Sequence, residues 1–176
     1  MAAAAFSGGA TRDDDFVEHF FVASTHAYLL CFTTRGQLYW LKVLNVPEGS
    51  RVSAGRAMAN VLELKAEERI SSVIPVRRLD ADAADADGLH LLMATRRGLV
   101  KKTGLRHYCR PKAGGIIGLS LEEGDTLIGV ALVRPGDEVL LCTRDGMAIR
   151  FDEGDARPMG RRPTASRGST SRATTR

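Results

Sequence analysis

Residues 28–43, YLLCFTTRGQLYWLKV, set the architecture of this chain, because their pattern occurs three times along it. Residues 89–104 (LHLLMATRRGLVKKTG) and 138–153 (EVLLCTRDGMAIRFDE) repeat it, so that Gly36, Gly98 and Gly146 fall in register. A threonine stands three places before each glycine (Thr33, Thr95, Thr143), and the four positions before that threonine are all apolar. Two places after the glycine comes another apolar residue: Leu38, Val100 or Ala148. An apolar run closed by Arg-Gly or Asp-Gly and followed by a second β-prone run predicts a hairpin. The glycine supplies the positive φ of a tight turn.

A second phrase lies outward of the first. Residues 64–76 (LKAEERISSVIPV) align with 121–133 (LEEGDTLIGVALV), pairing Leu64 with Leu121, Ile70 with Leu127, Val73 with Val130 and Val76 with Val133. Each unit therefore predicts about four short strands. The glycine anchors are 62 and 48 residues apart, and most of the difference is the Asp/Ala-rich segment 77–88. Its aspartates (80, 82, 85, 87) imitate a calcium loop, but Ala84 takes a ligand position and no glutamate closes it, so a solvated acidic insertion is expected. Residues 55–69 carry helix formers at helical spacing, yet their counterpart, residues 114–121 (GGIIGLSL), is glycine-rich and β-branched. If the units share a fold, both are strands. Gly115 and Gly118 also fit the GXXG of a KH loop, without the helices that would surround one.

Repeating four-strand units predict an all-β, propeller-like array with about two and a half blades of an incomplete ring. The units are expected at 13–76, 88–133 and 136–160, between a disordered segment 1–12 and a disordered Arg/Ser/Thr-rich tail 161–176. Hydrophobic residues make up 44% and charged residues 26%, enough to pack a core. No apolar run reaches the roughly 18 residues of a membrane span, and the N-terminus lacks a secretory pattern, which suits the cytoplasm. The three cysteines form no CxxC pair, so neither structural zinc nor a disulfide framework is expected. No Ser/His/Asp or Cys/His arrangement, Walker loop or carboxylate pair stands out, and no cofactor or small-molecule substrate is predicted.

Charge is the informative remainder. The net +4 is local: residues 156–176 hold six arginines and no acid, leaving −2 for residues 1–155. Within foldable sequence, residues 89–121 contain Arg96, Arg97, Lys101, Lys102, Arg106, Arg110 and Lys112 and no carboxylate. An uncompensated cationic block suits a polyanion. Lys101 and Lys102 follow the second hairpin glycine at three and four places, Arg150 holds the four-place position in the third, and Lys42 lies six places on in the first. These nine residues are the candidate contacts.

The ordered phrases 14–51, 61–76, 91–103, 124–133, 140–151 and 156–161 together resemble the C-terminal DNA-wrapping domain of the bacterial DNA gyrase A subunit. The resemblance implies a β-pinwheel whose basic rim wraps duplex DNA without reading its sequence, within an ATP-dependent type II topoisomerase that supercoils DNA. It implies as partners the gyrase A cleavage core and the B subunit, and a nucleoid-associated location. The related topoisomerase IV A-type subunit has a similar domain. The gyrase-type Gln-Arg-Arg-Gly-Gly-Lys-Gly basic box has no counterpart in residues 1–11 (MAAAAFSGGAT), and Tyr28, Tyr39 and Tyr108 stand beside no acidic metal cluster. The expectation is a non-catalytic DNA-binding module. A rival reading is a β-repeat scaffold whose open blade edge pairs with a partner protein.

Overall fold

The computed structural model describes residues 19–49, 57–65 and 67–160. The predicted end segments, 1–12 and 161–176, lie outside the described residues. Three antiparallel hairpins fall where the repeated phrase puts them. Strands β1 (Tyr28–Thr33) and β2 (Gln37–Lys42) pair with Phe32 opposite Leu38 and Tyr28 opposite Lys42. Strands β4 (His90–Thr95) and β5 (Val100–Gly104) form the second hairpin, β8 (Glu138–Cys142) and β9 (Ala148–Asp152) the third. The repeated threonine closes each turn twice. In the first, its carbonyl accepts from Gly36 N at 2.9 Å and its hydroxyl from Gln37 N at 3.2 Å. Thr95 and Thr143 do the same. The glycines have φ of 76°, 81° and 80°.

The second phrase supplies a strand to the other side of each of the first two hairpins. β3 (Ile70–Val76) pairs with β1, and β7 (Leu127–Val133) with β4. The two then lie side by side: Ser71 Oγ donates to Leu127 O at 3.1 Å and Val130 N donates to Ser72 Oγ at 3.0 Å. The fourth strand does not stay with its own unit. β6 (Ile116–Ile117), from the second repeat, pairs with β2 of the first, giving sheet orders β3-β1-β2-β6, β5-β4-β7 and β8-β9. Consecutive units are therefore interlocked at their outer edges.

That interlock corrects the reading of residues 55–69. Their described part, from residue 57, holds one 3-10 turn (Met58–Asn60) and no strand before Ile70. The positions aligned with β6 are 59–60, and among the described residues no sheet edge lies against them. A two-residue strand exists only by its partner's hydrogen bonds. The acidic insertion folds into a short helix, α1 (Ala81–Ala86); Asp80 Oδ1 accepts from Asp82 N and Ala83 N, and Ala84 enters the core.

One core spans the first two sheets, joining Leu30, Phe32 and Leu38 to Leu91, Met93 and Leu127. The third hairpin is held more thinly, with Val139 and Phe151 against Leu92, Val133 and Ala156. Its Leu140 and Met147 are more than half exposed, at 62% and 54%.

Candidate nucleic-acid interface

Each hairpin is followed, seven residues beyond its glycine, by a 3-10 turn: Val43–Asn45, Leu105–Tyr108 and Glu153–Asp155. From the second of these, residues 105–119 run from the second sheet to the outer edge of the first. The run is pinned by Trp40 Nε1 donating to Tyr108 O at 2.8 Å, by Tyr108 Oη donating to Gly118 O at 2.9 Å, and by the amides of Gly118 and Leu119 on Gly36 O. Gly115 fits because a Cβ there would stand 2.7 Å from Leu38 O and 2.9 Å from the Tyr39 ring. With Leu105, Tyr108, Cys109 and Leu119 buried, the connector leaves Arg106, Arg110 and Lys112 exposed.

Arg96 and Arg97 occupy the tip of the second hairpin and are also exposed. The turn beside them is built on Asp125, whose Oδ1 accepts from Arg97 N at 3.1 Å and Thr126 N at 2.8 Å. Burial raises the Asp125 pKa, but hydrogen bonds from Thr95, Thr126 and Arg97 and the Arg97 charge outweigh it, so the carboxyl sits below its usual value. Leu127 N donates to Thr34 O at 2.9 Å, so the first two tips lie at one end of the paired sheets. Arg106 leaves the other end of β5.

Lys101 and Lys102 must be removed from the exposed set. Both point inward, at 6% and 4% exposure. Lys102 Nζ bonds the carboxylate of Glu153 and donates to its backbone carbonyl at 2.8 Å, tying the second sheet to the third unit. Burial pulls the Lys101 ammonium below the ordinary lysine pKa. Alternation explains the error only in part: adjacent strand residues face opposite sides, but both sides of β5 are covered. Lys42 is exposed with its ammonium 5.7 Å from the Tyr28 ring centre, and exposed Arg150 lies 3.5 Å from Glu138. The candidate cations thus divide into the tip pair, the connector trio and the isolated Lys42 and Arg150. Two further exposed arginines, Arg35 and Arg69, stand at the first tip and fall outside the acid-free block; Arg35 is legible once Gly36 is aligned with Gly98, whereas Arg69 aligns with Thr126 and no repeat signals it.

Interlocked β units with an exposed basic connector define a propeller-like repeat domain. The chain belongs to the DNA gyrase C-terminal domain, beta-propeller family, which it matches over residues 27–77, 89–134 and 137–168. It is 44% identical to the DNA gyrase A subunit of Salmonella typhimurium over 162 residues, 92% of this chain and 18% of that protein. To the DNA gyrase A subunit of Mycolicibacterium smegmatis it is 41% identical over 163 residues, 92% of this chain and 19% of that protein. The chain therefore spans about a fifth of the length of these curated relatives. Among solved structures it resembles a C-terminal domain of DNA topoisomerase IV (TM-score 0.74, 28% identity, 88% of this chain and 46% of that one). A DNA gyrase A C-terminal domain shares the fold (TM-score 0.61, 20% identity, 78% and 41%). No helix among the described residues is long and apolar enough to cross a membrane.

Proposed function

We propose that this chain binds and bends duplex DNA as part of the C-terminal region of a gyrase A subunit. In this reading it is a non-catalytic module that works with the cleavage core and the B subunit of an ATP-dependent type II topoisomerase on chromosomal DNA. Family membership supplies the setting. The observation that carries the reading is the connector 105–119, which holds Arg106, Arg110 and Lys112 exposed on the run between the second sheet and the outer edge of the first, with no carboxylate in its own sequence.

With Arg96 and Arg97 this makes five exposed cations. Each phosphate neutralised releases condensed counterions, so five contacts give a slope of about −4.5 for log affinity against log salt. Contacts to phosphate position a duplex and do not read bases, and the described residues include no helix long enough to enter a groove. The test is a salt titration of the full chain on duplexes of unrelated sequence. The triple variant Arg106→Glu, Arg110→Glu, Lys112→Glu should flatten the slope by about 2.7. A matched variant with the tail arginines 161, 162, 167, 172 and 176 changed to glutamine separates the contribution of the tail. An unchanged slope in the connector variant would refute the assignment.

A further inference from the structure

The turns that precede β3 and β7 are equivalent, and they differ at one functional position. Glu67 and Gly124 stand at the same place in the repeated phrase, each just before a buried acid, Glu68 or Asp125. Both have left-handed backbone, φ 64° and 74°, and Glu67 is the one non-glycine residue with positive φ among the described residues. A side chain held in that region is disfavoured, and such an outlier prompts the question of what the side chain does. The backbone around the two turns matches: Thr34 N donates to Arg69 O and Arg96 N to Thr126 O, each at 2.8 Å. The acids behind the two turns are buried in both units but hold different partners: Glu68 Oε2 accepts from Tyr39 Oη at 2.8 Å and Lys65 N at 3.0 Å, whereas Asp125 Oδ1 accepts from Arg97 N at 3.1 Å and Thr126 N at 2.8 Å.

The arginine just before each hairpin glycine meets this turn. In the first unit Arg35 Nη2 lies 2.9 Å from Glu67 Oε2, both side chains well exposed. In the second, Arg97 Nη2 stands 3.1 Å from the point where a Cβ of residue 124 would be, and residue 124 has no side chain to meet it; the acid near Arg97 is Asp125, which is buried and whose Oδ1 is taken by the amides of Arg97 and Thr126. In the third unit the same position before the glycine is itself acidic, Asp145.

We infer that the residue at 67 or 124 decides whether the hairpin arginine is available to phosphate. Glu67 engages Arg35 in an internal pair, and Gly124 withholds that carboxylate from Arg97. This rests on the duplex-binding reading above. A phosphate approaching Arg35 must displace Glu67 and leaves two anions together, so the encounter releases fewer counterions than one at Arg97. The exposed pair itself adds little to stability, which suits a role in setting where charge is offered.

The experiment is fluorescence anisotropy of the full chain on a random-sequence duplex between 50 and 200 mM salt. Glu67→Gln keeps the length and backbone of the side chain and removes its charge. It should steepen the slope by about 0.9, so that the affinity ratio of variant to wild type grows about 3.5-fold from the high to the low salt limit. Gly124→Glu should flatten the slope by a similar amount. Glu63→Gln, an exposed acid on the same segment with no arginine bonded to it among the described residues, controls for net charge and should leave the slope near that of wild type. Parallel plots for Glu67→Gln and wild type, or equal steepening by Glu63→Gln, would overturn this inference alone. A wild-type plot without salt dependence would overturn the duplex-binding reading and this inference with it.

Discussion

The ammonium of Lys102 is held out of solvent by Glu153, through its carboxylate and its backbone carbonyl. The pair occupies the place that Trp40 and Tyr108 fill one unit earlier, where an indole N–H meets a carbonyl of the following unit. In both, the residue four places beyond a hairpin glycine reaches the next unit's 3-10 turn. Removing one partner of a buried ion pair strands the other, at a cost of about 3 kcal/mol or more. Glu153→Ala should therefore destabilise strongly, whereas Lys102→Met with Glu153→Leu should recover most of the loss. Urea denaturation measures both. Because Lys102 is internal, the double variant should keep the wild-type salt slope on duplex DNA.

The hairpin glycines have different burdens. A Cβ on Gly36 would lie 2.3 Å from Leu119 O, the backbone of the interlocking segment, while one on Gly98 meets nothing within 4 Å. Gly98→Ala should cost only the left-handed penalty, about 1–2 kcal/mol. Gly36→Ala should add a displacement of residues 116–119 and cost about 3 kcal/mol or more. Thermal melts of the two variants, compared side by side, decide this.

Acid should weaken the turn at Asp125. Its carboxyl titrates lower in the folded protein than in the unfolded chain, since hydrogen bonds and Arg97 outweigh burial. Such a group stabilises above its unfolded pKa and loses that contribution as pH falls through the folded value. The stability difference between wild type and Asp125→Asn should hold from neutral pH to about pH 4 and shrink below it. Urea midpoints at pH 6 and pH 3 provide the comparison.

Thiol reactivity should report the third unit's exposure. Cys31 and Cys109 are buried, and burial pushes the Cys31 thiol up to about 12, whereas Cys142 is exposed on β8. A thiolate-directed reagent should label one of the three cysteines in the native protein and all three in denaturant. Labelling of two or more at native rates would contradict the packing around β1 and the connector.

The hairpins were legible because everything that makes them is local. Thr33, Gly36 and Leu38 lie within six residues, and their hydrogen bonds close over that same span. The acid-free block was legible too, and it led to the exposed Arg96, Arg97, Arg106, Arg110 and Lys112. It misled at Lys101 and Lys102, since composition records charge and not direction. Glu153, the partner of Lys102, is 51 residues away.

The residues alone were enough for three glycine-pinned hairpins, the strands that flank the first two, and membership of a propeller family, because turn geometry and apolar runs act between near neighbours. Folding in three dimensions settled what depends on an adjacent unit. Ile116–Ile117 becomes a strand because β2 offers it an edge, while the aligned residues 59–60 do not. Lys102 turns inward because Glu153 arrives from the next repeat. Whether Arg35 meets solvent or Glu67 depends on a left-handed turn more than thirty residues away. Pairing and burial are fixed by partners that the chain brings close only when it has folded.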